Sequence, residues 1–346
     1  MRHDPVGAPE PTRNGRRRSA RLLIAAAAGL AVVTAAGCSG ATMAGGPVSG
    51  TITVAAIPGI DTAPLYLAQK NGYLAAEGLS HVVIKTFPSG SAEITALQTG
   101  QADIAASDYG DIFYAESQSK DLRVLADGYD AGPGVLEILT WDGSGINSPA
   151  DLAGVTIGVP NDQQLIQGSG HPVSLETAAA TQVLTNFLGN AALSMNWRPM
   201  SQQDELGALQ RHALQAILVS EPYIYEAQSQ LGAVEVLDAY SGSTAGMPLT
   251  GYVATRGWAT HNAAAVADFQ AAIGQAQSQA SMTGQVQQLL PRTTGMTVFD
   301  ADLSTFGTYP TSTSVAGLQR VVRLLGYIIP QNKAPSVPQM IIKPGT

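Results

Sequence analysis

The side chains best suited to chemistry stand in short groups, each directly after an apolar run and before a segment of helical period. Ile60, Asp61 and Thr62 follow the run 52–57, Ser89, Gly90 and Ser91 follow 81–87, and Asp108 and Tyr109 follow 104–106. A helix that starts after a strand presents unpaired N–H groups and a partial positive charge, so such loops can hold a small polar molecule by hydrogen bonding. The same residues have plainer uses. Asp61, Ser89, Ser91 and Asp108 can each serve as helix N-caps. Tyr109 and Tyr129 are stacking platforms or packed wedges. Glu221 precedes Pro222 and a helical segment, where it can cap that helix, bridge two lobes or touch a ligand. Ser169 sits in the Gly168-Ser169-Gly170 part of a long loop, and His171, before Pro172, reads as a turn residue.

Other chemistries lack their residues. Cys38 is the one cysteine, which excludes internal disulfides and cysteine-built zinc sites, and the five histidines (His3, His81, His171, His212, His261) never fall at metal-ligand spacing. No Gly-x-Ser-x-Gly elbow or phosphate loop is present. No cofactor or metal is expected. Charged residues make up 13% of the 346-residue chain and apolar ones 45%, a composition that folds, and the length suggests two lobes. A pI near 5.0 and a net charge of −8 argue against a general nucleic-acid binder.

The N-terminus has the pattern of an export signal. Arg13, Arg16, Arg17, Arg18 and Arg21 precede fifteen uncharged residues, 22–36, which end in Ala35-Ala36-Gly37-Cys38. The apolar stretch is shorter than the roughly 20 residues needed to span a bilayer. Ala-Ala-Gly-Cys resembles the bacterial lipobox, with Ala35 where that pattern prefers Leu. The resemblance implies a lipid-modified Cys38 as first residue of the mature protein; the alternative is an incidental cysteine beside an ordinary cleavage site. The twin arginines fit twin-arginine export poorly, so the general secretory route is expected. Residues 1–37 form the expected signal peptide, and 38–50, small and flexible, form a tether reaching about 20 Å. Without residues 1–37 the chain keeps twelve Lys+Arg against twenty-four Asp+Glu.

From residue 51 strands and helices alternate, which predicts parallel sheets covered on both faces. Strands are expected at 52–57, 81–87, 104–106, 122–126 and 135–140, with helices at 63–77, 92–99 and 112–119. After the Gly143-Ser144-Gly145 turn a second series follows: strands at 155–159, 194–198, 213–219 and 233–237, helices at 175–188, 202–210 and 222–230. A later helix spans 262–280, with Asn262 as its cap and Val266, Phe269 and Ile273 on one stripe. The stretch from Gln331 reads as a surface-hugging tail.

The order of motifs carries a resemblance. Ala-Pro-Leu-Tyr-Leu-Ala-Gln-Lys-Asn-Gly-Tyr-Leu-Ala-Ala-Glu-Gly-Leu at 63–79, Phe-Pro-Ser-Gly-Ser at 87–91, Ala-Leu-Gln-Thr-Gly-Gln-Ala-Asp-Ile-Ala at 96–105, Asn-Ser-Pro-Ala-Asp-Leu-Ala-Gly-Val-Thr-Ile-Gly-Val-Pro at 147–160 and Ser-Glu-Pro at 220–222 resemble, in that order, the ABC-transporter solute-binding lipoproteins of the nitrate, sulfonate, taurine and thiamine-precursor group (SsuA/THI5-like, NMT1-like). The chain departs from that pattern at Arg211-His212-Ala213-Leu214-Gln215-Ala216, at Ser220, where an aromatic residue is common, and in the long loop at 161–172.

The resemblance implies an α/β, two-lobed periplasmic-binding-protein type II fold with mainly parallel sheets and an interlobe cleft. Lobe 1 would be 51–135 plus 250–346 and lobe 2 136–249. The implied function is capture of a small polar organic solute, sulfonate, taurine-like or thiamine-precursor-like, by hinge closure and its delivery to a permease with its ATPase. The chain would be a monomer held to the bacterial cell membrane through Cys38, and not an enzyme. A lipoprotein sensor or adaptor of the same fold, or a THI5-like biosynthetic enzyme, is the alternative. The enzyme carries a cysteine-rich motif that this chain lacks. Helix N-termini favour an anion, but residues 61–142 carry twelve acids against four bases, which leaves room for a nitrogen heterocycle or amine.

Overall fold

A computed structural model of the chain describes residues 50–161 and 174–343. The expected signal peptide at 1–37, Cys38, most of the expected tether and Ser169 lie outside the described residues. Within them the chain builds β1 (Ile52–Ala56), α1 (Ala63–Lys70), α2 (Tyr73–Ala76), β2 (Val82–Lys85), α3 (Gly90–Thr99), β3 (Ile104–Asp108), α4 (Tyr109–Ser117) and β4 (Leu122–Asp130). It then crosses into β5 (Leu136–Trp141), β6 (Thr156–Pro160), α5 (Leu175–Leu188), β7 (Asn196–Met200), α6 (Gln202–Gln210), β8 (Ala216–Ser220), α7 (Tyr223–Leu231) and β9 (Ala233–Asp238). It returns as β10 (Pro248–Thr255) and ends in α8 (Arg256–His261), α9 (Ala263–Ala280), α10 (Thr283–Thr293), α11 (Val298–Leu303), α12 (Val315–Leu324) and α13 (Val337–Met340).

Two five-stranded sheets result, ordered β2-β1-β3-β10-β4 and β7-β6-β8-β5-β9. β1 pairs in parallel with β2 and β3, while β10 runs antiparallel to β3 and β4. The second sheet repeats the plan: β6 is parallel to β7 and β8, and β5 is antiparallel to β8 and β9. Each sheet is therefore mixed, with one strand opposed to the other four. Both faces are covered, so the central strands are apolar throughout rather than alternating. Val54, Ala55 and Ala56 of β1 and Ile217, Leu218 and Val219 of β8 are fully buried. Val266, Phe269, Ile273, Ala276 and Ala280 form the buried stripe of α9 at helical spacing, and Phe269 meets Tyr252 of β10 edge-on at 5.4 Å.

Several boundaries differ from the sequence expectation, each for a local reason. The helix expected at 63–77 is two, because Gly72 takes φ 75° between α1 and α2. Asn262 does stand before α9, but its side chain donates back to the Trp258 carbonyl at 2.9 Å and caps nothing. β10, which no sequence pattern announced, is inserted between β3 and β4. The tail is partly interior: Val337 and Met340 are buried, and Ile342 donates to the Val124 carbonyl at 3.0 Å. No helix among the described residues is long and apolar enough to cross a membrane.

The crossings between sheets are tied side by side. Ala131 donates to the Met247 carbonyl at 2.8 Å, and Asp130 and Thr308 exchange backbone hydrogen bonds at 2.9 Å. Arg320 of α12 donates to the carbonyls of Ser243 and Ala245 at 2.8 and 2.7 Å.

Candidate ligand-binding site

Strand ends from both sheets converge on a cavity of about 310 Å³. On the first-lobe side it is lined by the loop after β1, the start of α3, the end of β3 and the start of α4; on the second by the ends of β6 and β8 and the start of α5. This is where parallel α/β sheets place ligands, beyond the carboxyl ends of strands. The lobes meet closely at its rim: a Cβ on Gly110 of α4 would lie 3.3 Å from Leu175 Cβ of α5.

The loop after β1 is fixed from within. The Thr62 hydroxyl donates to the Ile57 carbonyl at 2.7 Å and accepts from the Gly59 amide at 3.0 Å, so it holds the turn without capping α1. Asp61 accepts from the Thr250 hydroxyl of β10 at 2.8 Å, and Tyr309 donates to the Ile60 carbonyl at 2.8 Å. Gly90 opens α3 where a Cβ would overlap the Asp111 carboxylate and come within 2.9 Å of Ser107 Oγ. A side chain there would fill the floor of the cavity.

Of the residues singled out in the sequence, Ile60, Asp61, Thr62, Gly90, Asp108, Tyr129 and Glu221 line this cavity. Ser89 and Ser91 do not. Ser89 caps α3 by accepting from the Ala92 amide at 3.2 Å, and Ser91 is bonded to Ser89 at 3.0 Å. Tyr109 is corrected to a core residue. The helix starts at Tyr109 rather than at 112, which turns its ring inward onto Phe113 one turn later, centroids 5.4 Å apart, with its hydroxyl bonded to Asp127 and none of it exposed. Asp108 both lines the cavity and caps α4, accepting from the Gly110 amide at 2.5 Å. Tyr129 packs against Tyr309 and accepts from the Gly307 amide at 2.5 Å. Glu221 bridges segments far apart in the chain, accepting from the Thr305 amide at 2.9 Å and the Tyr225 amide at 3.1 Å.

The cavity also gathers residues that the sequence did not mark: Glu93, Ser107, Glu176, Gln202, Tyr240 and Thr250. The signal for Glu93 was present. It lies on the Gly90, Ile94, Leu97 face of α3, the face that must be buried, and a carboxylate there needs a reason. Gln202 accepts from the amide and hydroxyl of Ser220 at 2.9 and 3.2 Å, which aligns the ends of β8 and α6.

Six carboxyl groups, of Asp61, Glu93, Asp108, Asp111, Glu176 and Glu221, line the cavity, and no Lys, Arg or His does so among the described residues. The consequence is proton retention. Burial, then the charges of Asp61 and Asp111, push the Glu93 carboxyl up to about 8 against a hydrogen bond from Ser107. Burial, then Glu176 and Asp111, hold Asp108 well above the usual carboxylate range. Burial also raises Glu221, despite the two amides that favour its charged form. Beside the cavity, burial and then Asp127 push Asp130 up to about 7, with Arg320 opposing.

Comparisons with known proteins agree with this architecture. The family described as NMT1/THI5 like matches residues 60–168. The formylaminopyrimidine-binding protein of Halalkalibacterium halodurans is 35% identical over 97 residues, which cover 28% of this chain and 28% of that protein. Among solved structures, the periplasmic nitrate-binding protein NrtA from Synechocystis PCC 6803 superimposes with a TM-score of 0.65 at 14% identity, covering 86% of this chain and 87% of that one. The periplasmic aliphatic sulphonate binding protein SsuA from Escherichia coli gives 0.64 at 20%, covering 84% and 97%. The desulfurization enzyme DSZB gives 0.59 at 16%, covering 84% and 96%. The chain thus has the α/β fold of the periplasmic binding proteins, shared by at least one enzyme.

Proposed function

We propose that the chain is the extracytoplasmic solute-binding component of an ABC importer, which captures a small polar organic solute between its lobes and presents the closed form to a permease and its ATPase. The observation that carries this reading is the cavity at the strand ends of both sheets, lined from both lobes and crossed by the Glu221–Thr305 contact. Two lobes joined by paired crossings can open by hinge motion, and a ligand touching both walls favours the closed state by its differential affinity. With no basic side chain in the described lining to hold a sulfonate, the nitrogen-rich, thiamine-precursor-like class fits better than a sulfonate or a taurine-like zwitterion. The partial match to the formylaminopyrimidine-binding protein points the same way. Export through the 1–37 segment and anchoring through lipid on Cys38 belong to the same proposal.

A thermal-shift screen of the full chain against thiamine precursors, other small nitrogen compounds, sulfonates and nitrate tests it. A ligand at 100 times its Kd stabilises by about 2.7 kcal/mol. Absence of any hit counts against solute capture, and conversion of a hit into product would replace binding by catalysis. Anchoring is tested separately: Cys38→Ser should leave the washed membrane fraction, since each buried CH₂ of a lipid contributes about 0.8 kcal/mol.

A further inference from the structure

We infer that the solute carries a positively charged nitrogen and that Glu93, in the first turn of α3, is the carboxylate that pairs with it. The inference rests on the solute-capture reading and assigns the chemistry of that site. Glu93 is 1% exposed, lines the cavity, and its Oε1 has no hydrogen-bond partner in the protein. Hydrogen bonds from Ser107 and the Ile57 backbone leave that oxygen unmet, and an ionised carboxylate so sparsely paired is costly to bury. Something must neutralise it. Among the described residues the groups around it offer no cation: the loop after β1 brings Asp61, α1 brings Tyr66, β3 brings Ser107 and Asp108, α4 brings Asp111, and β10 brings the Thr250 hydroxyl, already donated to Asp61, with Tyr252 beyond. Across the cleft stand Glu176 and Glu221.

With the described residues supplying none, the positive charge comes from a proton or from the solute. In the free protein Glu93 holds a proton through neutral pH, in line with its carboxyl being pushed up to about 8. A cationic solute replaces that proton, which leaves to water as the ammonium, amidinium or ring N–H⁺ takes its place. The wall then offers more than a point charge. Asp61 and Asp111 lie beside Glu93 as further acceptors, Asp108 and Glu176 face the same space from opposite lobes, and the Tyr129 and Tyr240 rings supply apolar and π surface to a cation. At about 310 Å³ the cavity lies at the small end of ligand pockets, which suits a compact organic cation.

The test uses the full chain, its Glu93→Gln variant, which keeps shape and mimics the protonated acid, and Asp111→Asn as a second variant. Probes are two matched series: benzamidine, benzamide and benzenesulfonate, and butane-1,4-diamine, butane-1,4-diol and succinate. The cationic member of at least one series should raise Tm while its isosteres do not. Calorimetry in buffers of different ionisation heat should show nearly one proton released at pH 7 by the wild type and none by Glu93→Gln. Affinity of the wild type should fall about tenfold per pH unit below the Glu93 titration, and Glu93→Gln should bind about tenfold or more weakly at pH 8.5. A neutral or anionic probe that stabilises as well as its cationic counterpart overturns the inference. A hit in the wider screen that carries no positive charge also overturns it, yet leaves solute capture standing. One readout needs no ligand: the fall of Tm between pH 5 and 8.5 should be shallower in Glu93→Gln than in the wild type, and parallel curves overturn the assignment of the proton to Glu93.

Discussion

The two walls of the cavity follow one topological plan but are chemically unlike. The first-lobe wall carries four carboxyls, Asp61, Glu93, Asp108 and Asp111, packed closely enough to raise one another's proton affinity. The second carries Glu176 and Glu221, with Glu221 already held by two backbone amides and Gln202 already engaged by Ser220. The unpartnered Oε1 of Glu93 is prepared for a ligand, whereas Glu221 and Gln202, whose acceptors are engaged, are prepared to dock. Under the solute-capture proposal, the contrast assigns solute selection to the first lobe and closure to the second.

The largest expected effect comes from filling the first wall. Gly90→Ala places a methyl group on the Asp111 carboxylate, so the solute-induced thermal shift should vanish and the chain should lose about 1–3 kcal/mol by equilibrium denaturation. Ser220→Ala on the opposite wall, which removes only the longer of two bonds to Gln202, should keep the shift. Equal loss in both variants would break the comparison.

Next in size is pH. Glu93 is pushed up to about 8, while Asp130 and Glu137 are each pushed up to about 7, burial being the main cause throughout, so the folded chain binds these protons more tightly than the unfolded one. Their contribution is full below about pH 4 and declines as pH rises from there, by at most about 1.4 kcal/mol per pH unit for each group, until it is lost above about 7 for Asp130 and Glu137 and about 8 for Glu93. Chemical denaturation at pH 5, 6.5 and 8 measures it. Glu137→Gln, at the start of β5, should remove its share of the slope between about pH 4.5 and 7 and spare the part due to Glu93, which continues to about 8. If Glu137→Gln abolished the whole slope, the acid load would belong to the second lobe.

Tyr109→Phe sharpens the boundary between wall and core. It strips Asp127 of its hydroxyl donor, leaving the Ser314 amide at 3.3 Å, and should cost about 1–2 kcal/mol with solute affinity unchanged. A fall in affinity without loss of stability would return Tyr109 to the site.

The smallest effect is expected at the dock. Glu221→Gln keeps one acceptor for Thr305 or Tyr225 but not both, costing about 0.5–1.5 kcal/mol. Small-angle scattering should show a less compact protein at half-saturation, with affinity lowered less than by Glu93→Gln. The reverse ranking would exchange the roles of the two walls.

What the sequence determined is what neighbouring residues decide among themselves. Apolar runs followed by helical periods marked most strands, and helix α6 matches its expected 202–210 span, with Ser201 before it a local N-cap signal. Ile60, Asp61, Thr62, Gly90 and Asp108 were legible as strand-end residues for the same reason, since a strand followed by a helix start needs no distant contact to be read. The caps show the limit of such reading. Ser89 is a cap, Asn262 is not, and Asp108 is both a cap and part of the cavity wall, because which bond a side chain makes depends on what packs over it.

The tertiary structure alone decided the rest. β10 enters the first sheet beside β3 after the whole second lobe has intervened, and Thr250 on it then fixes Asp61, a bond spanning 189 positions. Glu93 became a site residue when α3 laid its buried face over β1 and β3 and brought it beside Asp61 and Asp111, while Tyr109 left the site because its helix began three residues earlier than the pattern suggested. Burial and charge proximity are properties of assembled surfaces. A chain read residue by residue shows where carboxylates are, and only folding shows that six of them share one cavity without a base among the described residues.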